Sequence, residues 1–154
     1  MKTFKKLVAE ARNNVKELFP WDLEERLESE RLLIIDVREP YEFEKMHIEG
    51  SVNVPRGILE SACEYDYEET IPHLVESREK DIIVVCRSGF RSVFAAHVMQ
   101  QMGYQKVWSL QTGLRGWNDA ELPLVDKSIS SVDIDGAEEY FLPKLRPEQH
   151  SPNK

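Results

Sequence analysis

The chain has 154 residues, of which 41% are hydrophobic and 31% charged, and its 20 basic against 28 acidic residues give a formal charge of −8. That length suits one domain with a real core, with no need of disulfide or metal staples. The acidic balance weighs against nucleic acid and anionic membrane as partners, because both require a basic excess to neutralise phosphates.

Phe4, Leu7, Val8, Ala11, Val15 and Leu18 recur at helical spacing, which predicts an amphipathic helix over residues 3–18. After Pro20, "WDLEERLESE" reads as a second short helix with Asp22 near its start. "LLIIDV" (32–37) is a continuous apolar run, the pattern of a strand covered on both faces. "SVNVP" (51–55) reads as another short strand closed by Pro55, and residues 56–80 as charged helix and loop punctuated by Pro72. "DIIVVC" (81–86) is the second strongly buried strand. "RSVFAAHVMQQMGY" follows as a helix ending near Gly103, "KVWSL" (106–110) as a strand, and "GLRGWNDA" as a final short helix. Alternating strands and helices of this length imply an α/β domain with a mainly parallel sheet. From about Asp126 the pattern fades into a tail expected to be partly disordered at its end, although "EYFLPKL" there could dock on the domain, bridge a dimer or bind a partner.

The two cysteines, Cys63 and Cys86, are too few for a disulfide framework, and no C-x-x-C or H-x-x-x-H spacing suggests a metal site. Residues 133–136, "DIDG", begin like a calcium loop, but Lys144 stands where the closing glutamate belongs. Lys2, Lys5 and Lys6 precede no apolar region of signal-peptide length, Glu10 and Glu17 weaken a mitochondrial presequence reading, and no stretch approaches the length of a membrane span. A reducing, cytoplasmic setting is therefore expected, in which a lone reactive thiol survives.

"VVCRSGFRS" (84–92) carries the chemistry. It joins the C-terminal end of a buried strand to the start of a helix, the edge at which open α/β sheets bind ligands. Backbone N–H groups in such a turn point inward and form an anion cradle, with the first helical turn behind them. Gly89 allows the backbone angles this requires, and a thiol at the mouth of the cradle is favoured as thiolate. Arg87 and Arg91 add positive charge for an anionic substrate. A cysteine at a strand end is ordinarily a buried structural residue. The strand–Cys–x–Ser–Gly–x–Arg–helix context makes this one functional instead.

"LLIIDVREPYEFEKMHIEGSVNVP", "IIVVCRSGFRS" and "GYQKVWSLQTGLRGWNDAELPL" resemble, in order and spacing, the three motifs of a single-domain rhodanese, a sulfurtransferase family. The likeness spans about residues 17–125. It sets off residues 1–16 as an N-terminal helical extension and 126–154 as the C-terminal tail. It implies a three-layer α/β fold, a mainly parallel sheet flanked by helices. In that fold Cys86 takes a sulfane sulfur from a small anionic donor such as thiosulfate and yields it to cyanide, a thiol or a sulfur-acceptor protein. No cofactor is implied beyond the covalent persulfide on Cys86, and monomer and dimer both stay open. Arg87 and Arg91 would bind the sulfonate-like part of the donor, Ser88 would hydrogen-bond the persulfide and Phe90 would screen it, with Gly89 and Ser92 as further members of the active-site loop.

The same fold carries phosphatases and arsenate reductases with C-x5-R loops. Here four residues separate Cys86 from Arg91, and Val85 stands where phosphatase signatures often have histidine. The shorter ring favours a single sulfur atom over a tetrahedral oxyanion, so sulfur transfer leads. A sulfur carrier with little turnover on free thiosulfate is the alternative, and an oxyanion enzyme the third reading.

Around the loop, Arg38 and Glu42 are expected to pair with each other, Asp36 to anchor backbone or loop groups, and His47 to make an orienting hydrogen bond. Cys63, among carboxylates that would raise its pKa, is a candidate resolving thiol. Met46 and Thr112 stand where the family tends to place glycines.

Overall fold

The structure, a computed structural model, describes residues 1–152. Thr3 caps α1 (Phe4–Arg12), its side chain accepting from Lys6 N at 3.1 Å. The chain then runs β1 (Lys16–Leu18), α2 (Pro20–Ser29), β2 (Leu33–Asp36), α3 (Pro40–Lys45) and β3 (Val52–Asn53). Two short helices follow, α4 (Leu59–Ala62) and α5 (Pro72–Val75), then β4 (Ile82–Val85), α6 (Arg91–Gln101), β5 (Val107–Leu110), α7 (Gly113–Asp119) and α8 (Ile134–Phe141).

All five strands are parallel, in the order β1-β5-β4-β2-β3. The central strand β4 is buried at every position, as its unbroken apolar run requires. Because strand side chains alternate, the sheet feeds two cores. Ile35, Ile82, Val84 and Cys86 face one side with Ala95, Ala96 and Met99 of α6. Ile34, Ile83 and Val85 face the other with Leu114 and Trp117 of α7. Cys86 therefore continues the parity of Ile82 and Val84, and β4 aims its sulfur toward the α6 layer.

The first helix is shorter than its periodicity predicts. Apolar spacing through Val15 and Leu18 suits a helix, but the chain turns at Asn13–Asn14 and residues 16–18 pair in parallel with β5. Leu18 is buried all the same, within the α7-side core. The strand wins because it pairs edge backbone that would otherwise be left open. Nor is α7 the last helix. Asp133 caps α8 by accepting from Gly136 N at 2.9 Å, which is the local work of "DIDG", and Ala137 and Phe141 are buried beside α7. Among the described residues no helix is long and apolar enough to cross a membrane.

Candidate active site

The loop after β4 wraps around Cys86. Gly89 N donates to Sγ at 3.2 Å and Ser92 N at 3.3 Å, and the Ser92 hydroxyl lies 3.3 Å away. Ser92 N belongs to the first turn of α6, so the positive end of that helix also faces the sulfur. Ser92 Oγ in turn lies 2.7 Å from Ser109 Oγ on β5. Ser109 is a site residue that sequence reading missed. The available signal was a serine inside the otherwise apolar "KVWSL", since a buried polar residue in a strand needs a partner.

Two glycines allow this shape. Gly89 has φ +88°, and a Cβ there would lie 3.1 Å from Thr112 N. Gly113 has φ +63°, and a Cβ there would meet Arg87 C and O at 2.5 Å. That close approach lets Leu114 N donate to Cys86 O at 2.9 Å and Arg115 N to Arg87 O at 3.0 Å. With its carbonyls held outward by α7, the loop turns amides inward.

Thr112, beside Gly113, is left-handed at φ +69°, and its side chain occupies the space over Gly116. Left-handed backbone costs a β-branched residue about 1–3 kcal/mol. Thr112→Gly is therefore expected to raise stability by about 1 kcal/mol, after allowing for glycine's looser unfolded chain, as read by denaturant unfolding.

The polar residues around the loop are paired differently from expectation. Arg38 does not reach Glu42. It folds back on Asp36, with Nη2 to Oδ2 at 2.8 Å and Nε to Oδ1 at 3.0 Å, and its Nη2 also donates to Met46 O at 2.7 Å. The spacing of four is no guide here, because α3 begins only at Pro40 and Arg38 lies outside it. Asp36 Oδ1 also accepts from Arg38 N at 3.1 Å, and Asn53 Nδ2 donates to the carbonyls of Asp36 and Arg38.

Glu42 instead takes Arg91, with Nη1 to Oε2 at 2.9 Å and Nη2 to Oε1 at 3.0 Å, so both terminal nitrogens of Arg91 are held by the protein rather than left for a donor. Burial pushes the Glu42 carboxyl up. The hydrogen bonds from Arg91 and Glu39 N, with the charges of Arg91 and Arg38, outweigh this and hold it below the ordinary carboxylate value. A lowered carboxylate stabilises the fold fully above its unfolded pKa, and that stability is lost as pH falls through the folded value. Glu42→Gln is accordingly expected to cost about 1–2 kcal/mol at neutral pH, discounted because Arg91 is partly exposed. Its unfolding curve should converge with wild type in acid.

His47 Nδ1–H donates to Phe43 O at 2.7 Å, and its ring stacks on Phe43 at 3.8 Å. Its backbone pairs with Val125, tying the first motif to the end of the domain. Cys63 is buried, and burial, more than the nearby Glu60 and Glu64, holds its thiol above the ordinary value, while Tyr104 and Arg78 pull the other way.

Arg87 and Phe90 open the loop in two directions. Phe90, 41% exposed, packs edge-on against Phe4 at 5.7 Å, and with Ser88 it lines a groove of about 660 Å³ toward Arg12, Trp21 and Arg115. Arg87 reaches the tail instead, Nη2 donating to Phe141 O at 2.6 Å. Tail residues therefore form part of the wall beside the loop.

A family model for the rhodanese-like domain matches residues 20–120. The chain belongs to the rhodanese-like domain family. Its rhodanese-like region is similar to the Bacillus subtilis protein YrkF, provisionally named a sulfur carrier, at 39% identity over 89 residues, 57% of this chain. This chain spans only 42% of that relative's length. A sulfurtransferase of Allochromatium vinosum is 30% identical over 112 residues, covering 72% of this chain and 95% of its own. Among solved structures, a Rhodopseudomonas palustris protein of unknown function, described as a possible tyrosine phosphatase, superposes with TM-score 0.73 at 29% identity, covering 80% of this chain and 94% of that one. The parallel sheet, the helices on both faces and the cysteine loop after β4 are thus those of a rhodanese-like domain.

Proposed function

We propose that this rhodanese-like protein is a sulfurtransferase that works through a persulfide on Cys86. The observation that carries the reading is the pair of backbone donors at one sulfur: Gly89 N and Ser92 N lie 3.2 and 3.3 Å from Sγ, with the Ser92 hydroxyl, which accepts from the thiol, at 3.3 Å. Amide donors stabilise negative charge on a sulfur, and the thiolate is the nucleophilic form of a cysteine. The thiolate attacks the outer sulfur of thiosulfate, a new S–S bond forms, and the old S–S bond breaks with its electron pair leaving on sulfite. The persulfide then carries one negative charge in place of the thiolate's, so the same amides serve both states. An acceptor such as cyanide attacks the terminal sulfur, leaves as thiocyanate and returns the thiolate.

Exposure fits this order of events. Cys86 is only 1% exposed, whereas a persulfide adds an atom about 2.05 Å further out. No proton need be removed in the first step if the thiolate is preformed, so no general base is assigned.

The turn also bears on the oxyanion alternative. Four residues lie between Cys86 and Arg91, Gly89 N within that turn already contacts Sγ, and Arg91 at its end pairs with Glu42, which suits one sulfur better than a phosphoryl group. Intact-mass measurement after thiosulfate treatment tests the reading. A gain of one sulfur atom that disappears on adding cyanide is expected. An unchanged mass after several sulfane donors, with turnover of aryl phosphate or arsenate, would overturn it. The name of the B. subtilis relative favours a second reading, a carrier that hands sulfur to a protein. That reading expects the same mass gain but faster discharge to a protein acceptor than to cyanide.

A further inference from the structure

Ser109 breaks the pattern of its own strand. It lies two residues after Val107 on β5 and opposite Val84 of β4, so strand alternation turns it into the apolar layer that also holds Ala95, Ala96 and Met99 of α6. It is fully buried, and among the described residues its hydroxyl has one hydrogen-bond partner, Ser92 Oγ at 2.7 Å. A buried hydroxyl in such a layer is a cost unless its bond offsets it, so a role for Ser109 has to lie in its contact with Ser92. Ser92 Oγ in turn touches Cys86 Sγ at 3.3 Å.

Sγ, Ser92 Oγ and Ser109 Oγ form a chain of three atoms joined by two contacts, and the number of hydrogens decides which charge state it fits. A hydroxyl brings one hydrogen and can accept twice, and a thiol brings one more. With Cys86 neutral there are three hydrogens for the two contacts: Ser92 accepts from the thiol, and only one of the two hydroxyls can donate across the contact between them. One buried hydrogen is left without an acceptor in the chain. Ionisation sends the thiol proton to solvent and leaves two hydrogens for the two contacts. Ser109 then donates to Ser92, and Ser92 reverses to donate to Sγ. A persulfide has no proton on Sγ either, so the completed chain serves both charged states.

We propose that Ser109 is a positioning residue for sulfur transfer, whose hydroxyl turns the Ser92 hydrogen toward Cys86 and so favours the proton-free sulfur. The inference rests on the sulfur-transfer reading and deepens it. The Ser92 contact belongs to the site already described, and the residue added is the one behind it. The charged groups around the sulfur sit on other elements. Arg91, paired with Glu42 of α3, feels the charge of Cys86, Asp36 at the end of β2 is paired with Arg38, and Arg87 turns to Phe141. Cys63 and Tyr104, in the same layer, are held protonated above all by burial. From β5 and the buried face of α6 come hydroxyls and apolar groups. Removing the Ser109 hydroxyl therefore alters the hydrogen-bond chain without altering any charge.

The decisive measurement is the ultraviolet absorbance of the Cys86 thiolate against pH in the full-length protein, with Cys86→Ser as the baseline. Ser109→Ala should lower the thiolate-to-thiol ratio at a given pH by about 5-fold, the weight of one buried hydrogen bond. Loading by thiosulfate, followed by intact mass, should slow by the same factor where most of the sulfur is protonated. It should match wild type at alkaline pH, where the sulfur is ionised in both proteins. Ser92→Ala should lower the ratio as well, and adding Ser109→Ala to it should change nothing further, because Ser109 acts through Ser92. A general disturbance of β5 would add in both backgrounds. Ser109→Ala places an apolar side chain in an apolar layer, so folding does not confound the result. An unchanged ratio in Ser109→Ala, or an equal loss from Ser109→Ala once Ser92 is replaced, would overturn the inference. Failure of Cys86 to gain sulfur from any donor would instead overturn the transfer reading, and the absorbance measurement needs no donor.

Discussion

Cys86→Ser is expected to abolish sulfur transfer, lowering turnover by more than about ten-thousand-fold, and to abolish the mass gain on thiosulfate treatment. Serine is a weak nucleophile and cannot carry a sulfane sulfur. The fold should survive, because the hydroxyl can still accept from Gly89 N and Ser92 N, the donors that now serve Sγ. Stability is expected to change by about 1 kcal/mol or less, as read by denaturant unfolding. Turnover retained in purified Cys86→Ser protein would remove the covalent mechanism altogether. Loss of folding together with activity would assign the residue to the core instead, where its burial among Val84, Ala95 and Met99 also places it.

Gly113→Ala should be the most damaging small substitution away from the nucleophile. The added methyl would stand 2.5 Å from Arg87 C and O and 2.6 Å from Cys86 O, all main-chain atoms with no freedom to swing aside. Its backbone is also left-handed, at φ +63°. Relief requires α7 to move off the loop, breaking the bonds from Leu114 N and Arg115 N that hold the loop carbonyls outward. A stability loss of about 3 kcal/mol or more is expected. Persulfide loading by thiosulfate should slow about 100-fold in whatever protein remains folded, since a misplacement of the order of 1 Å costs that much. The two effects separate if unfolding and loading are followed at a temperature where the variant is still native. An unaffected loading rate would show that the amides are not what readies the sulfur.

Much of the sheet was legible because its signals are local. The runs at 32–35 and 82–86 are continuous and apolar, and burial on both faces of a parallel sheet makes them so. The loop was legible too, since Cys86, Gly89 and Ser92 are close in sequence and the turn itself brings them together. Residues 16–18 were misread because Val15 and Leu18 fall at helical spacing and three residues are too few to show a strand period. What stayed hidden was long-range pairing. Arg91 meets Glu42 across 49 residues and Arg87 meets Phe141 across 54, while the tempting Arg38–Glu42 pair, four apart, does not form. Nothing within a single element tells an arginine which distant carboxylate will face it. The tail was ambiguous for the same reason: Ala137 and Phe141 are apolar enough to dock, but their receptor is built from α7.

The bond between Arg87 and Phe141 also has a consequence in time. The chain is synthesised from its N-terminus, at about 5–20 residues per second, so the 54 residues between the two take roughly 3–11 s to emerge. Every strand of the sheet and the thiol loop itself precede α8. A nascent chain can therefore hold a cysteine loop whose arginine has no helix end to grip, until α8 leaves the ribosome and supplies the Phe141 carbonyl.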